Sequence, residues 1–76
     1  MTKFPHVSLA KTGKNINRLM IEKNLTVKDV QDACGFEYPQ AVYKWLRGEC
    51  LPTVDNLVVL ALLFNVKIDT LVVIEQ

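Results

Sequence analysis

Ala33-Cys34-Gly35-Phe36-Glu37-Tyr38-Pro39-Gln40-Ala41-Val42-Tyr43-Lys44-Trp45-Leu46-Arg47-Gly48 is the stretch on which the reading of the chain turns. It reads as the end of one short helix, a tight turn at Gly35, and a second helix closed at Gly48. Pro39 opens that second helix, since the first helical position has no N–H partner to lose. Val42, Trp45 and Leu46 recur at helical spacing and point inward. Gln40, Ala41, Tyr43 and Lys44 then face outward, offering an amide, a methyl, a phenol and an ammonium with no acid among them. Such a face suits contact with a polyanion and some discrimination between bases.

Toward the N-terminus, Thr26 supplies a helix cap and Asp29, three residues on, completes a variant of the capping box. The helix that follows is expected to bury Val27, Val30, Ala33 and Cys34 and to expose Lys28, Gln31 and Asp32. The connection from Gly35 to Pro39 is short, so the two helices must cross at a large angle, as in a helix-turn-helix unit. Further upstream, Leu9, Gly13, Ile16, Leu19, Met20 and Lys23 fall on one stripe of a helix over about 9–23, capped by Ser8 or Thr12 and stopped at Asn24. Gly13 weakens that helix by up to roughly 1 kcal/mol relative to alanine, a cost that makes sense where another backbone packs closely. Lys11, Lys14 and Arg18 lie toward the opposite side, and residues 1–7 read as an extended lead-in.

Beyond Gly48, Thr53 caps a helix from Val54 to Phe64, with Asp55 in its first turn against the positive end of the dipole. That helix is apolar on nearly every side, which predicts burial against several neighbours and a central, supporting position. Asn65 ends it. A fifth helical turn from Asp69 is expected next, and then an extended tail, because Val72, Val73 and Ile74 are β-branched. The helix over Val54 to Phe64 and the tail together hold more large apolar side chains than so small a domain can hide, which predicts a surface patch and self-association through the C-terminal region, at Leu71, Val72, Val73 and Ile74.

The chain has 76 residues, enough for one domain with a modest core. Its net charge is +1, but eight Lys/Arg stand against four Asp/Glu up to Gly48, and one lysine against four acids after it, so the two parts carry +4 and −3. A cationic end can lie on phosphates while the other end meets a partner. No apolar run approaches the roughly 18 to 20 residues of a membrane span, and the N-terminus lacks an apolar signal region, which predicts a cytoplasmic protein without membrane contact. Cys34 and Cys50 lack CxxC spacing and are accompanied by one histidine, His6, so free thiols are expected rather than a disulfide or a metal site. No cofactor and no small-molecule ligand is indicated, and no nucleophile stands beside a base in the pattern.

In this order of elements the chain resembles the Cro and lambda-repressor-like, or XRE, family. The resemblance rests on Gly13-x-x-Ile16-x-x-Leu19, Leu25 to Val30, the turn Gly35-Phe36, Val42 to Gly48, Pro52 to Leu57, Phe64 to Val66 and Ile68 to Leu71. It covers roughly residues 9–72 and implies an all-α, five-helix domain, a single unit over 1–76, with helix 2 across the phosphate backbone and helix 3 in the major groove. Carried over by position, it implies base reading by Pro39, Gln40, Tyr43 and Lys44 and phosphate contact by Lys14, Lys28, Tyr38 and Arg47, aided by backbone N–H groups at the start of helix 2. It further implies a homodimer on double-stranded DNA, acting as a repressor at a palindromic operator. Three departures stand out. The turn before helix 3 is one residue longer than the family's usual one. Val27 stands where the family commonly has a phosphate-holding glutamine, and Met20 and Leu46 replace an arginine–glutamate pair, which predicts that these two side chains meet out of solvent. The rival expectation is a protein-interaction module on the same fold, an antitoxin or accessory subunit with little DNA affinity, to which Val27, Glu37, Pro39 and Glu49 lend support.

Overall fold

Helix α1, Leu9–Glu22, starts at Ser8, whose hydroxyl accepts the Lys11 N–H at 3.1 Å. The computed structural model describes residues 5–75; the first four residues of the expected lead-in, and residue 76, lie outside the described residues. Asn24 follows α1 with φ 58, the left-handed conformation that stops a helix. Helix α2, Val27–Cys34, carries the full capping box: the Thr26 hydroxyl accepts from Asp29 N–H at 3.1 Å and the Asp29 carboxylate from Thr26 N–H at 2.8 Å. Helices α3, Gln40–Leu46, α4, Val54–Phe64, and α5, Ile68–Leu71, complete the five. The Thr53 hydroxyl caps α4 and Asn65, at φ 58, ends it. A residue before the expected Asp69, α5 begins at Ile68.

The core gathers Ile16, Leu19 and Met20 of α1, Val30 of α2, Val42 and Trp45 of α3, Leu60, Ala61 and Phe64 of α4, and Leu71 of α5. Each large side chain so buried contributes about 1.5–3 kcal/mol relative to exposure. Helix α1 packs chiefly on α3, while α4 packs on α2 and α5. The close approach expected at Gly13 is against α3: a Cβ built there would stand 2.9 Å from the Leu46 carbonyl oxygen and nearer still to that of Trp45. Met20 is buried and Leu46 half-buried against the same core, so neither is in solvent.

Several expectations are corrected. Helix α4 is not the central support. It buries Leu60, Ala61 and Phe64 on one side and leaves Val54, Val58 and Leu62 exposed on the other, because α2 and α5 cover one side of it. In α2 the assignments of Gln31 and Ala33 exchange: Gln31 is buried and Ala33 exposed, since the helix is rotated toward the α2–α3 turn. Pro39 is the N-cap of α3, with φ −86 and ψ 0, and not its first helical residue. Ala41 is half-buried against the core instead of facing outward.

The tail has partners that no local pattern reveals. Strand β1, His6–Val7, pairs antiparallel with β2, Ile74–Glu75, His6 opposite Glu75 and Val7 opposite Ile74. Beside this ribbon, Ser8 N–H donates to the Val73 carbonyl at 2.7 Å and Val73 N–H to the buried Thr12 hydroxyl at 2.9 Å. The Asn15 carboxamide donates to the Thr70 and Leu71 carbonyls at 2.7 and 2.9 Å, completing the attachment of the tail to α1.

Candidate nucleic-acid interface

Helix α3 divides along its length because seven residues make two turns. Val42 and Trp45 are buried, Leu46 half-buried; Gln40, Tyr43, Lys44 and, one turn on, Arg47 lie along the opposite side and are exposed. The edge of the Phe36 ring meets Trp45 with centroids 5.7 Å apart, so the turn is packed onto the buried side of the helix it introduces. None of Tyr38, Gln40, Tyr43 and Lys44 makes a side-chain hydrogen bond among the described residues. Their polar groups are therefore available: a carboxamide that can both donate and accept, two phenols and an ammonium. Pro39 is half-buried just before this row and has no N–H to offer.

The cations expected at phosphates are not equally free. Lys28 pairs with Asp32 at 2.8 Å one helical turn away, and Arg47 bonds to Glu49. Lys14 and Lys44 have no ion pair among the described residues. The hydrogen bond from Arg47, reinforced by the charges of Arg47 and Lys44, holds the Glu49 carboxyl below its ordinary range. An acid thus stands at the C-terminal end of the α3 row and offsets part of its cationic charge. At the start of α2 the Asp29 carboxylate is held low by the Thr26 backbone and side-chain hydrogen bonds. That carboxylate takes up the Thr26 N–H, while helix geometry leaves the N–H groups of Val27 and Lys28 without helical partners.

Gln31 is the site residue that the sequence pattern misplaced. Its Nε2 donates to the carbonyls of Phe36 at 3.3 Å and Glu37 at 3.1 Å, which fastens the turn ahead of α3. A polar side chain one turn before a glycine stop was the available signal, since the carbonyls of a short turn need donors. Of the expected self-association residues, Leu71 is buried in the chain's own core, a correction forced by its place on the inner side of α5. Val72 and Val73 are half-buried and Ile74 is exposed. Cys34 and Cys50 are free thiols, and burial pushes the Cys34 thiol up, away from the reactive thiolate. Among the described residues no cavity opens and no cluster of three metal-ligating side chains occurs.

The pattern of the helix-turn-helix family matches residues 16–71, most of the chain. The chain belongs to the helix-turn-helix family, of the XRE type. Its fold is similar to that of the restriction-modification controller protein C.AhdI from Aeromonas hydrophila, with a TM-score of 0.74 over 83% of this chain and 94% of that one, at 22% identity. The DNA-binding domain of BldD is similar as well, with a TM-score of 0.69 over 87% of this chain and 94% of that one, at 19% identity. No curated protein sequence matches the chain. As a member of this family the protein is a DNA-binding transcription regulator and not an enzyme, and its partner is double-stranded DNA. Among the described residues no helix is long and apolar enough to cross a membrane.

Proposed function

We propose that this helix-turn-helix protein is a repressor that occupies a palindromic operator as a homodimer, with α3 in the major groove. The observation that carries the reading is the exposed row Gln40, Tyr43, Lys44 and Arg47, opposite a buried Val42 and Trp45. Gln40 suits adenine, to which a carboxamide can both donate and accept, and Lys44 suits the acceptor edge of guanine. Tyr43 reaches a phosphate or a thymine methyl, and Pro39 contributes shape at the start of the row. Lys14, Lys28, Tyr38 and Arg47 contact phosphate, Lys28 and Arg47 by exchanging their carboxylate partners for it. The dimer forms through the apolar surface that the protomer leaves outside its core, Val72, Val73 and Ile74 of the tail together with Val54, Val58 and Leu62 of α4. Two recognition helices then lie about 34 Å apart, one turn of DNA.

Selection of a binding site from random duplexes, followed by mobility-shift titration of the wild type, Gln40→Ala and Lys44→Ala, tests the assignment. Each change is expected to cost about 1–3 kcal/mol of discrimination at its own base pair, roughly five- to 150-fold. Unchanged specific binding in both variants sinks the recognition row.

A second reading, an interaction module that retains the fold with little DNA affinity, is favoured by the carboxylates beside Lys28 and Arg47. Co-purification with a partner protein, combined with failure to enrich any duplex in the selection, would select it.

A further inference from the structure

We propose that Gln31 is the positioning residue that aims the recognition helix, its buried carboxamide serving as the main-chain partner that the α2–α3 turn lacks. Between Phe36 and Tyr38 the backbone makes three hydrogen bonds among the described residues, and all three go to Gln31. Its carbonyl accepts the Phe36 N–H at 3.0 Å, and its Nε2 donates to the carbonyls of Phe36 and Glu37. This one residue therefore fixes both peptide groups that lead into Tyr38, Pro39 and the start of α3. The four residues Phe36–Pro39 between the left-handed Gly35 and α3 belong to no helix, and such a connection keeps backbone freedom unless something holds it. A carboxamide suits the task because its nitrogen has two N–H donors, one for each carbonyl. The Phe36 ring against Trp45 fixes the same turn from the other side.

The consequence lies in recognition. Phosphate contacts tolerate small shifts of a helix, whereas a bidentate contact from Gln40 to a base edge does not. Loss of the Gln31 carboxamide should therefore lower affinity for the selected site far more than affinity for random duplex. This inference rests on the DNA-binding assignment of α3.

The test compares wild type with Gln31→Met, which keeps the length and loses the donors, and Gln31→Glu, which keeps the shape and presents a carboxylate to two carbonyls. Specific and random-duplex affinities are measured by mobility shift at a temperature where circular dichroism shows each variant folded. In Gln31→Met the ratio of specific to random-duplex affinity is expected to fall about tenfold, with random-duplex affinity held within about twofold. Gln31→Glu is expected to show the same loss at neutral pH and to regain part of it, relative to wild type, on acidification, because a protonated carboxyl can donate to one carbonyl. A ratio that stays at the wild-type value in both variants overturns the proposal, whether the two affinities fall together or neither falls. In DNA-free protein, amide exchange at Phe36–Tyr43 is expected to quicken in Gln31→Met while α4 stays protected; unchanged exchange there also overturns it. Failure of the wild type itself to select any duplex counts instead against the recognition row, and the exchange measurement then decides the role of Gln31.

Discussion

At Gly13 two effects of opposite sign compete, and their sizes decide the outcome of Gly13→Ala. Alanine is the better helix former by about 1 kcal/mol. Against that, the new methyl would meet the Trp45 and Leu46 carbonyl oxygens, the latter at 2.9 Å, and those atoms are backbone at the end of α3. Backbone cannot turn aside as a side chain can, so α1 and α3 must separate, and overpacking of this kind costs typically 1–3 kcal/mol. The steric effect wins: urea denaturation should show a net loss of about 1–2 kcal/mol, and DNA affinity should fall because the displaced segment carries Lys44 and Arg47. A variant as stable as wild type would mean that the two helices slide apart without cost. Gly48 is doubly constrained, by φ 77 and by the Ala10 backbone 2.9 Å from a built Cβ, so the C-terminal end of α3 is held to α1 at two glycines. This is why α3 is placed by α1 and its own turn more than by α4.

At the scale of elements, the tail illustrates what sequence can and cannot tell. Helix limits were legible because their causes are local: Ser8, Thr26 and Thr53 cap, and Asn24, Gly35 and Asn65 stop. In α3 the period of 3.6 residues made Gln40, Tyr43 and Lys44 legible as exposed, but it also put Ala41 outside, where the core half-buries it. The rotation of α2 was not, since Gln31 is buried for a turn that lies beyond its own helix. Helix α4 is apolar all round, so its sequence carried no information about which side packs. The extended tail followed from β-branching, but its pairing with His6–Val7 is a contact between the two ends of the chain. Lys11 closes that end with a 3.0 Å ion pair to Glu75 and holds the Glu75 carboxyl below its ordinary value of 4.5, His6 adding a smaller effect. A carboxyl whose pKa is lowered by folding stabilises the fold above its unfolded-state value, and that contribution is lost as pH falls through the folded-state value. The Val73 N–H protection factor should therefore decline as wild-type protein is acidified below about pH 4.5, by a small factor because the pair is exposed. In Glu75→Gln the protection should start lower at neutral pH and change less on acidification. Equal pH dependence in the two proteins would show that the ion pair does not hold the tail.

At the scale of the whole molecule, the unresolved balance is between apolar surface and size. A 76-residue domain buries a modest core, and association is one of the ordinary ways such domains gain stability. Two regions offer themselves for it. The tail presents Ile74, 59% exposed, but Val72 and Val73 are half-buried and the backbone at Val73 is engaged by Ser8 and Thr12. Helix α4 presents Val54 and Leu62, 72% and 77% exposed, with Val58 between them at intervals of four, a continuous row on a rigid element. A two-fold interface uses the same patch on both subunits, and this row offers three exposed apolar side chains where the tail offers one. For the proposed dimer, Leu62→Glu is expected to give a monomer in sedimentation equilibrium, with far-ultraviolet circular dichroism unchanged because Leu62 lies outside the core. Ile74→Glu should weaken the dimer only slightly. The monomeric variant should also bind the selected duplex with about half the wild-type slope of log affinity against log salt, since each protomer brings its own set of phosphate contacts. A Leu62→Glu protein that remains dimeric would remove α4 from the interface, and loss of the dimer in Ile74→Glu alone would move the interface to the tail.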